Sequence, residues 1–242
     1  MTTGQDFKKF AMSRGISSLK LNTFENSMTP YVLEERQLRA TQIDIFSRLM
    51  MDRILWVSGE VNQNMSDIVQ SQLLYLDSNG DKGDITLYIN SPGGSVLCGL
   101  GIVDLMNYIK CDVATVNIGM CASMASILLS SGTKGKRSSL INSKVMIHQV
   151  SSGASGHVED NRISQMEAEK HNYILFKILS RNTGKDFNEV LDSARRDYWL
   201  NSDQALKFGL IDEIIGLNNT PSISNYLEGF EDYYNKEILK KS

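Results

Sequence analysis

Cysteine, proline and excess positive charge are all scarce in this 242-residue chain, and each scarcity closes off a class of function. The three cysteines, Cys98, Cys111 and Cys121, are odd in number and form no C-x-x-C spacing. That argues against a zinc site or a disulfide framework and points to a reducing compartment. Three prolines exclude a collagen-like or linker-dominated chain. Twenty-five basic against twenty-eight acidic residues give a net charge of −3, so no nucleic-acid partner is expected. The phosphate-loop pattern G-x-x-x-x-G-K-[ST] is absent, so no ATP site of that kind is expected, nor any metal or other cofactor.

Long apolar runs are missing too. The first twenty residues mix Asp6 with Lys8, Lys9 and Arg14 and lack the apolar region of a secretory signal. The uncharged stretch from Val113 to Thr133 is interrupted by Asn117, Gly119, Ser123, Ser126, Ser130, Ser131 and Gly132, which hydrocarbon would solvate badly. No membrane span is expected. The cytoplasm is the expected compartment, with an organelle matrix as the alternative.

What is present is 41% hydrophobic and 22% charged residues, enough to build a sizeable core. Residues 1–29 lack sustained periodicity and read as a flexible leader. Helix formers dominate from Glu34 to Met51. A short buried strand is predicted at 53–59, and an amphipathic helix at 63–78 from the spacing of Met65, Ile68, Val69, Leu73 and Leu76. A strand at 84–90 precedes the turn Ser91-Pro92-Gly93-Gly94 and an apolar helix to about residue 109. A strand at 112–118 leads into GMCASMAS (119–126), which opens a helix. VMIHQ (145–149) reads as a strand end, followed by helices near 161–181, 186–195 and 202–208. Strands alternating with helices indicate an α/β fold, and no linker divides the body, 30–216, which reads as one domain. Residues 217–242 form an aromatic and charged tail.

Four features carry chemistry. Ser123, among small neighbours where a strand turns into a helix, has the setting of an exposed nucleophilic hydroxyl, with unbonded helix N–H groups nearby. It also fits the role of a small residue at a close helix contact. His148 follows the apolar run VMI and reads either as a general base or as a hydrogen-bonded core residue. Asp197, before Tyr198-Trp199-Leu200, could orient an imidazole or cap a helix. The two glycines of Ser91-Pro92-Gly93-Gly94 allow positive φ and close backbone approach, so that turn could offer N–H donors to a substrate oxygen.

The runs DIFSRLMMDRI (44–54), LYINSPGGSV (87–96), GMCASMASILLSSGTKGKR (119–137), MIHQ (146–149) and RDYWLNSDQALKFGLIDEII (196–215) closely resemble the proteolytic subunits of Clp proteases, in order and over residues 31–216. Ser123 precedes His148 by 25 residues and His148 precedes Asp197 by 49, spacings that fit that family. The resemblance implies a serine endopeptidase with Ser123 as nucleophile, His148 as base and acid, and Asp197 orienting the imidazole. It also implies an oxyanion hole from the backbone N–H groups of Gly94 and Met124. The implied fold is a crotonase-like spiral of ββα units with a protruding helical handle at 150–182.

Further implications concern assembly. The family forms two stacked seven-membered rings that enclose the active sites, and a separate Clp-type AAA+ ATPase feeds in unfolded proteins. Tyr88 and Tyr108 fall at the positions where that ATPase docks, and residues 31–42 at the loops around the axial pore. Arg195, Arg196 and Asp160 fall where the rings meet. An acid commonly stands where Arg195 stands here, so like-charge repulsion is expected to oppose stacking unless Glu159, Asp160 or Glu167 pairs with it. Val150 also replaces a usual proline, and His157 a usual glutamine. The competing readings are a crotonase-like acyl-CoA hydratase or thioesterase, and a catalytically silent ring subunit.

Overall fold

The computed structural model describes residues 31–36, 39–80, 83–153, 156–216 and 221–238. The leader 1–29 and the tail segments 217–220 and 239–242 lie outside them. The chain falls into two compact units, one ending at Asp52 and the other beginning at Arg53.

In the first unit, strands β1 (Tyr31–Arg36) and β2 (Arg39–Asp44) pair antiparallel, from Tyr31 opposite Asp44 to Arg36 opposite Arg39. Helix α1 (Ile45–Met51) follows. The helix formers of 34–51 thus yield a hairpin first and a helix only after Asp44. The start is set there because the Asp44 side chain accepts a hydrogen bond from the Ser47 backbone N–H, an N-cap that satisfies an otherwise orphaned donor.

The second unit is built on a mostly parallel sheet in the order β3 (Ile54–Val61), β4 (Ile85–Gly94), β5 (Val113–Ala122), β6 (Arg137–Leu140) and β9 (Glu213–Ile215). Strand β7 (Lys144–Ile147) also joins β5, and β8 (Tyr198–Asn201) joins β7. Parallel strands need crossovers, here the helices α2 (Gln63–Ser78), α3 (Val96–Tyr108) and α4 (Met124–Ser130). Val69, Leu73 and Leu76 of α2 are buried, as are Leu55 and Val57 of β3 and Ile85, Leu87 and Ile89 of β4. Every residue of α4 is buried, as befits a short helix inside the core.

The second unit continues with the long helix α5 (Val158–Thr183), α6 (Phe187–Ser193) and α7 (Ser202–Phe208). Beyond the sheet come the short helices α8 (Ile223–Tyr226) and α9 (Phe230–Tyr233). The Ser224 hydroxyl donates to Asp203 and accepts from the Asn201 side chain, which ties the tail to the start of α7. Among the described residues, no helix is long and apolar enough to cross a membrane.

Two departures from the sequence reading matter for the site. Ser91-Pro92-Gly93-Gly94 is not a turn but the end of β4, where the pairing with β3 shifts register and continues to Glu60 opposite Gly93 and Val61 opposite Gly94. Strand β5 runs to Ala122 rather than 118 and forks. Thr115–Asn117 pair with β6, and Met120–Ala122 pair with β7.

Candidate active site

The fork in β5 assembles the site by register. Parallel pairing of Met120 with Lys144, Cys121 with Val145 and Ala122 with Met146 carries the chain to Ser123 beside the end of β7. The Ser123 N–H donates to Met146 O at 2.9 Å, one last sheet-like bond before α4 begins. Strand β8 runs antiparallel to β7, from Lys144 opposite Asn201 to Ile147 opposite Tyr198. Each pair advances on one strand and retreats on the other, so the next in line is His148 with Asp197. Three segments distant in sequence therefore end at one point.

There the side chains meet. His148 Nε2 lies 2.9 Å from Ser123 Oγ, and His148 Nδ1 lies 3.1 Å from Asp197 Oδ1. With the imidazole proton on Nδ1, that ring donates to the carboxylate and accepts from the hydroxyl. His148 is half-buried, whereas the Asp197 side chain is 62% exposed.

Ser123 sits at φ +55°, a conformation few residues other than glycine adopt, which projects its hydroxyl from the strand-to-helix junction. Met124 is the first residue of α4, where no carbonyl of the helix accepts its N–H. The end of β4 closes against this point. Gly93 has φ +91°, and an added Cβ would lie 2.7 Å from Ser123 Cβ and 2.8 Å from Met124 N. Gly94 has φ +149°, and an added Cβ would lie 2.4 Å from Val61 O. Only glycine permits this approach.

A cavity of about 260 Å³ opens beside Ser123. Gly94, Met124, Ile127, Met146, Leu175 and Phe176 are among its lining residues, so its wall is largely apolar. Cys121, two residues before Ser123, is fully buried, and burial pushes its thiol well above the ordinary value, which leaves it without nucleophilic character. Among the described residues, no group of three His, Cys, Asp or Glu side chains could hold a metal ion.

The other sequence candidates lie elsewhere. Tyr88 is half-buried and stacks on Trp56 of the neighbouring strand, with ring centroids 6.1 Å apart, while Tyr108 is 78% exposed at the end of α3. Arg196 and Asp160 are exposed. Arg195 is bound by an acid that the sequence reading did not consider: Asp192, one turn earlier at the end of α6, accepts from Arg195 Nε at 3.0 Å. Glu159 instead pairs with Arg162, and Glu167 with Lys170. These pairings are local: Glu159–Arg162 and Glu167–Lys170 are neighbours three apart on α5, and Arg195 folds back on Asp192 in the turn that ends α6.

Some neighbours of the site carried no sequence signal of their own. Gln149 Nε2 donates to Arg195 O at 3.0 Å, and the Val150 N–H donates to Asn172 Oδ1 at 2.6 Å. The first could have been sought from its place next to His148. The second joins residues 22 apart and is visible only in three dimensions.

The sequence profile of the Clp protease family matches residues 36–218. A Bacteroides fragilis protein named ATP-dependent Clp protease proteolytic subunit is 46% identical over 215 residues, covering 87% of this chain and 98% of that protein. A Bacteroides thetaiotaomicron protein of the same name is also 46% identical over 215 residues, with the same coverage. A Porphyromonas gingivalis protein, again so named, is 44% identical over 218 residues, covering 88% of this chain and 98% of its own length.

Proposed function

The chain belongs to the Clp protease family, and from that premise we propose that it is the proteolytic subunit of an ATP-dependent protease, a serine endopeptidase with Ser123, His148 and Asp197 as its catalytic triad. One observation carries the reading: a single imidazole faces the Ser123 hydroxyl through one nitrogen and the Asp197 carboxylate through the other.

In the proposed reaction, Ser123 Oγ attacks the carbonyl carbon of the scissile peptide bond as its proton passes to His148 Nε2. Asp197 holds the other ring nitrogen and stabilises the imidazolium that forms. Negative charge on the substrate oxygen is met by the N–H groups of Gly94 and Met124, fixed dipoles that need no reorganisation as the charge develops. His148 then gives its proton to the leaving amine, leaving an acyl group on Ser123. Water then gives a proton to His148 Nε2 as it attacks that ester; the acyl–Oγ bond breaks, the proton returns to Ser123 Oγ, and the acyl fragment leaves as a carboxylic acid. The apolar cavity favours an apolar side chain on the acyl side of the cleaved bond.

The absence of a phosphate-loop motif fits a subunit that leaves ATP hydrolysis to a separate Clp-type ATPase, which would supply unfolded polypeptide. The proposed assembly is two stacked seven-membered rings enclosing the triads. Val158, Ile163 and Met166 leave 68%, 61% and 57% of their surface open on the long helix α5, and a ring–ring contact would cover them. Tyr108 offers an exposed apolar contact for the ATPase.

Hydrolysis of a short fluorogenic peptide without ATP tests the reading. The chain is expected to cleave it, and Ser123→Ala and His148→Ala to lose on the order of a million-fold in kcat. Comparable turnover by Ser123→Ala would refute it.

A further inference from the structure

The segment that carries His148 is poorly supported by packing. His148, Gln149, Val150 and Ser151 line two cavities at once, the one of about 260 Å³ at Ser123 and a second of about 910 Å³. Close packing is what ordinarily fixes a side chain to a fraction of an ångström, and here much of it is missing. The Asp197 carboxylate that meets the imidazole is itself 62% exposed, so water competes for it. Apart from the bonds of the imidazole itself, two side-chain hydrogen bonds among the described residues tie this segment to other elements: Gln149 Nε2 to Arg195 O, and the Val150 N–H to Asn172 Oδ1.

The second bond differs in kind from the first. Its acceptor sits on α5 just before Leu175, Phe176 and Leu179, which are buried and anchor that stretch of helix. Asn172 is thus a fixed post, half-buried, while Arg195 lies in the exposed segment after α6. The bond also depends on residue 150 having an N–H, which a proline there would lack.

We propose that Asn172 is a positioning residue for peptide hydrolysis: by clasping the Val150 N–H it holds the His148 imidazole in line between Ser123 and Asp197. The proposal rests on the reading of His148 as the general base. A base displaced by about 1 Å can lose on the order of a hundredfold in rate.

The test is kcat and KM for a short fluorogenic peptide in Asn172→Ala, Asn172→Asp, Val150→Pro and the double variant Val150→Pro/Asn172→Ala, with assembly checked by sedimentation. Asn172→Ala is expected to lower kcat by about tenfold to a hundredfold with little change in KM, and to slow fluorophosphonate labelling of Ser123 in parallel. Asn172→Asp keeps an acceptor oxygen and is expected to retain most of the parent kcat. Val150→Pro has no N–H to satisfy and a fixed φ, so adding Asn172→Ala to it is expected to cost less than about twofold.

Equal losses in Asn172→Ala and Asn172→Asp, or the same loss in both residue-150 backgrounds, overturn the clasp. So does an Asn172→Ala kcat within about twofold of an active parent. If the alanine variant does not assemble, Asn172→Asp decides, and an assembled but inactive aspartate variant also overturns it. A parent that leaves the peptide uncut overturns the reading of the triad and the clasp together, whereas an active parent matched by Asn172→Ala overturns the clasp alone.

Discussion

Gly93 faces Ser123 so closely that a single methyl group on it would lie 2.7 Å from Ser123 Cβ. The strand end and the hydroxyl-bearing junction are therefore built as a pair. Gly93→Ala is expected to push β4 away from Ser123, to lower kcat, and to destabilise the fold instead of giving the roughly 0.4–1 kcal/mol gain of a glycine-to-alanine change at a compatible position. Peptide-cleavage rates alongside thermal melts check this, and an unchanged kcat would show that β4 does not set the geometry at Ser123.

A second expectation concerns the ion pair between the start of β6 and the residue that precedes β9. Arg137 is 1% exposed, and its guanidinium meets Asp212 with two hydrogen bonds, at 2.8 and 2.6 Å. Burial pushes the Asp212 carboxyl up. The Arg137 side-chain bonds and charge, with the Arg137 and Gly135 backbone N–H groups, outweigh it and hold the group well below the carboxylate range. A folded value below the ordinary 3.8 means that this contribution to stability is complete above about pH 4 and is lost as the pH falls further. Removing one partner, as in Asp212→Asn or Arg137→Met, is expected to cost about 3–5 kcal/mol. Denaturant titrations at pH 7 and pH 3 check both statements. An Asp212→Asn variant as stable as the parent at pH 7 would contradict them.

How much of this was legible in the sequence depended on how local the cause was. The helix at 63–78 was readable because Val69, Leu73 and Leu76 repeat at helical spacing, and they are the buried face. The separations among Ser123, His148 and Asp197 were readable only through family resemblance; what brings them together is the fork in β5 and the β7–β8 register, which are properties of pairing. Ser91-Pro92-Gly93-Gly94 looked like a turn because its composition is that of turns, yet pairing with β3 keeps it in the sheet. The composition of 34–44 favoured helix, and hairpin pairing overrode it. The Arg195–Asp192 pair is not implied by family resemblance, which places Arg195 at a ring contact; it comes from the turn that ends α6 and brings residue 195 back beside residue 192.

The two tyrosines are expected to behave differently. Tyr108 is exposed, so Tyr108→Ala should change stability by no more than about 0.5 kcal/mol while weakening ATPase-dependent proteolysis more than peptide cleavage. Tyr88→Ala also removes the stack on Trp56, worth about 0.5–1.5 kcal/mol beyond buried area, and should lower stability as well. Equal loss of both activities in Tyr108→Ala would count against a docking role.

In the proposed double ring, the pairing of Arg195 with Asp192 is expected to make stacking respond weakly to salt. Asp192→Asn would leave Arg195 beside Arg196 without that acid, and sedimentation velocity of this variant should then show stacking that strengthens between about 0.1 and 1 M salt. A parent double ring that falls apart at low salt would mean that the exposed Arg195–Asp192 pair is too weak to matter, as many surface pairs are.

The central claim is that Ser123 is a hydroxyl activated by His148, and covalent labelling by a fluorophosphonate, read by intact mass and peptide mapping, tests it most directly. The expected result is one adduct per subunit, mapped to Ser123, abolished in Ser123→Ala and slowed by orders of magnitude in His148→Ala. An unlabelled parent, or an adduct that maps elsewhere and persists in Ser123→Ala, would contradict the account.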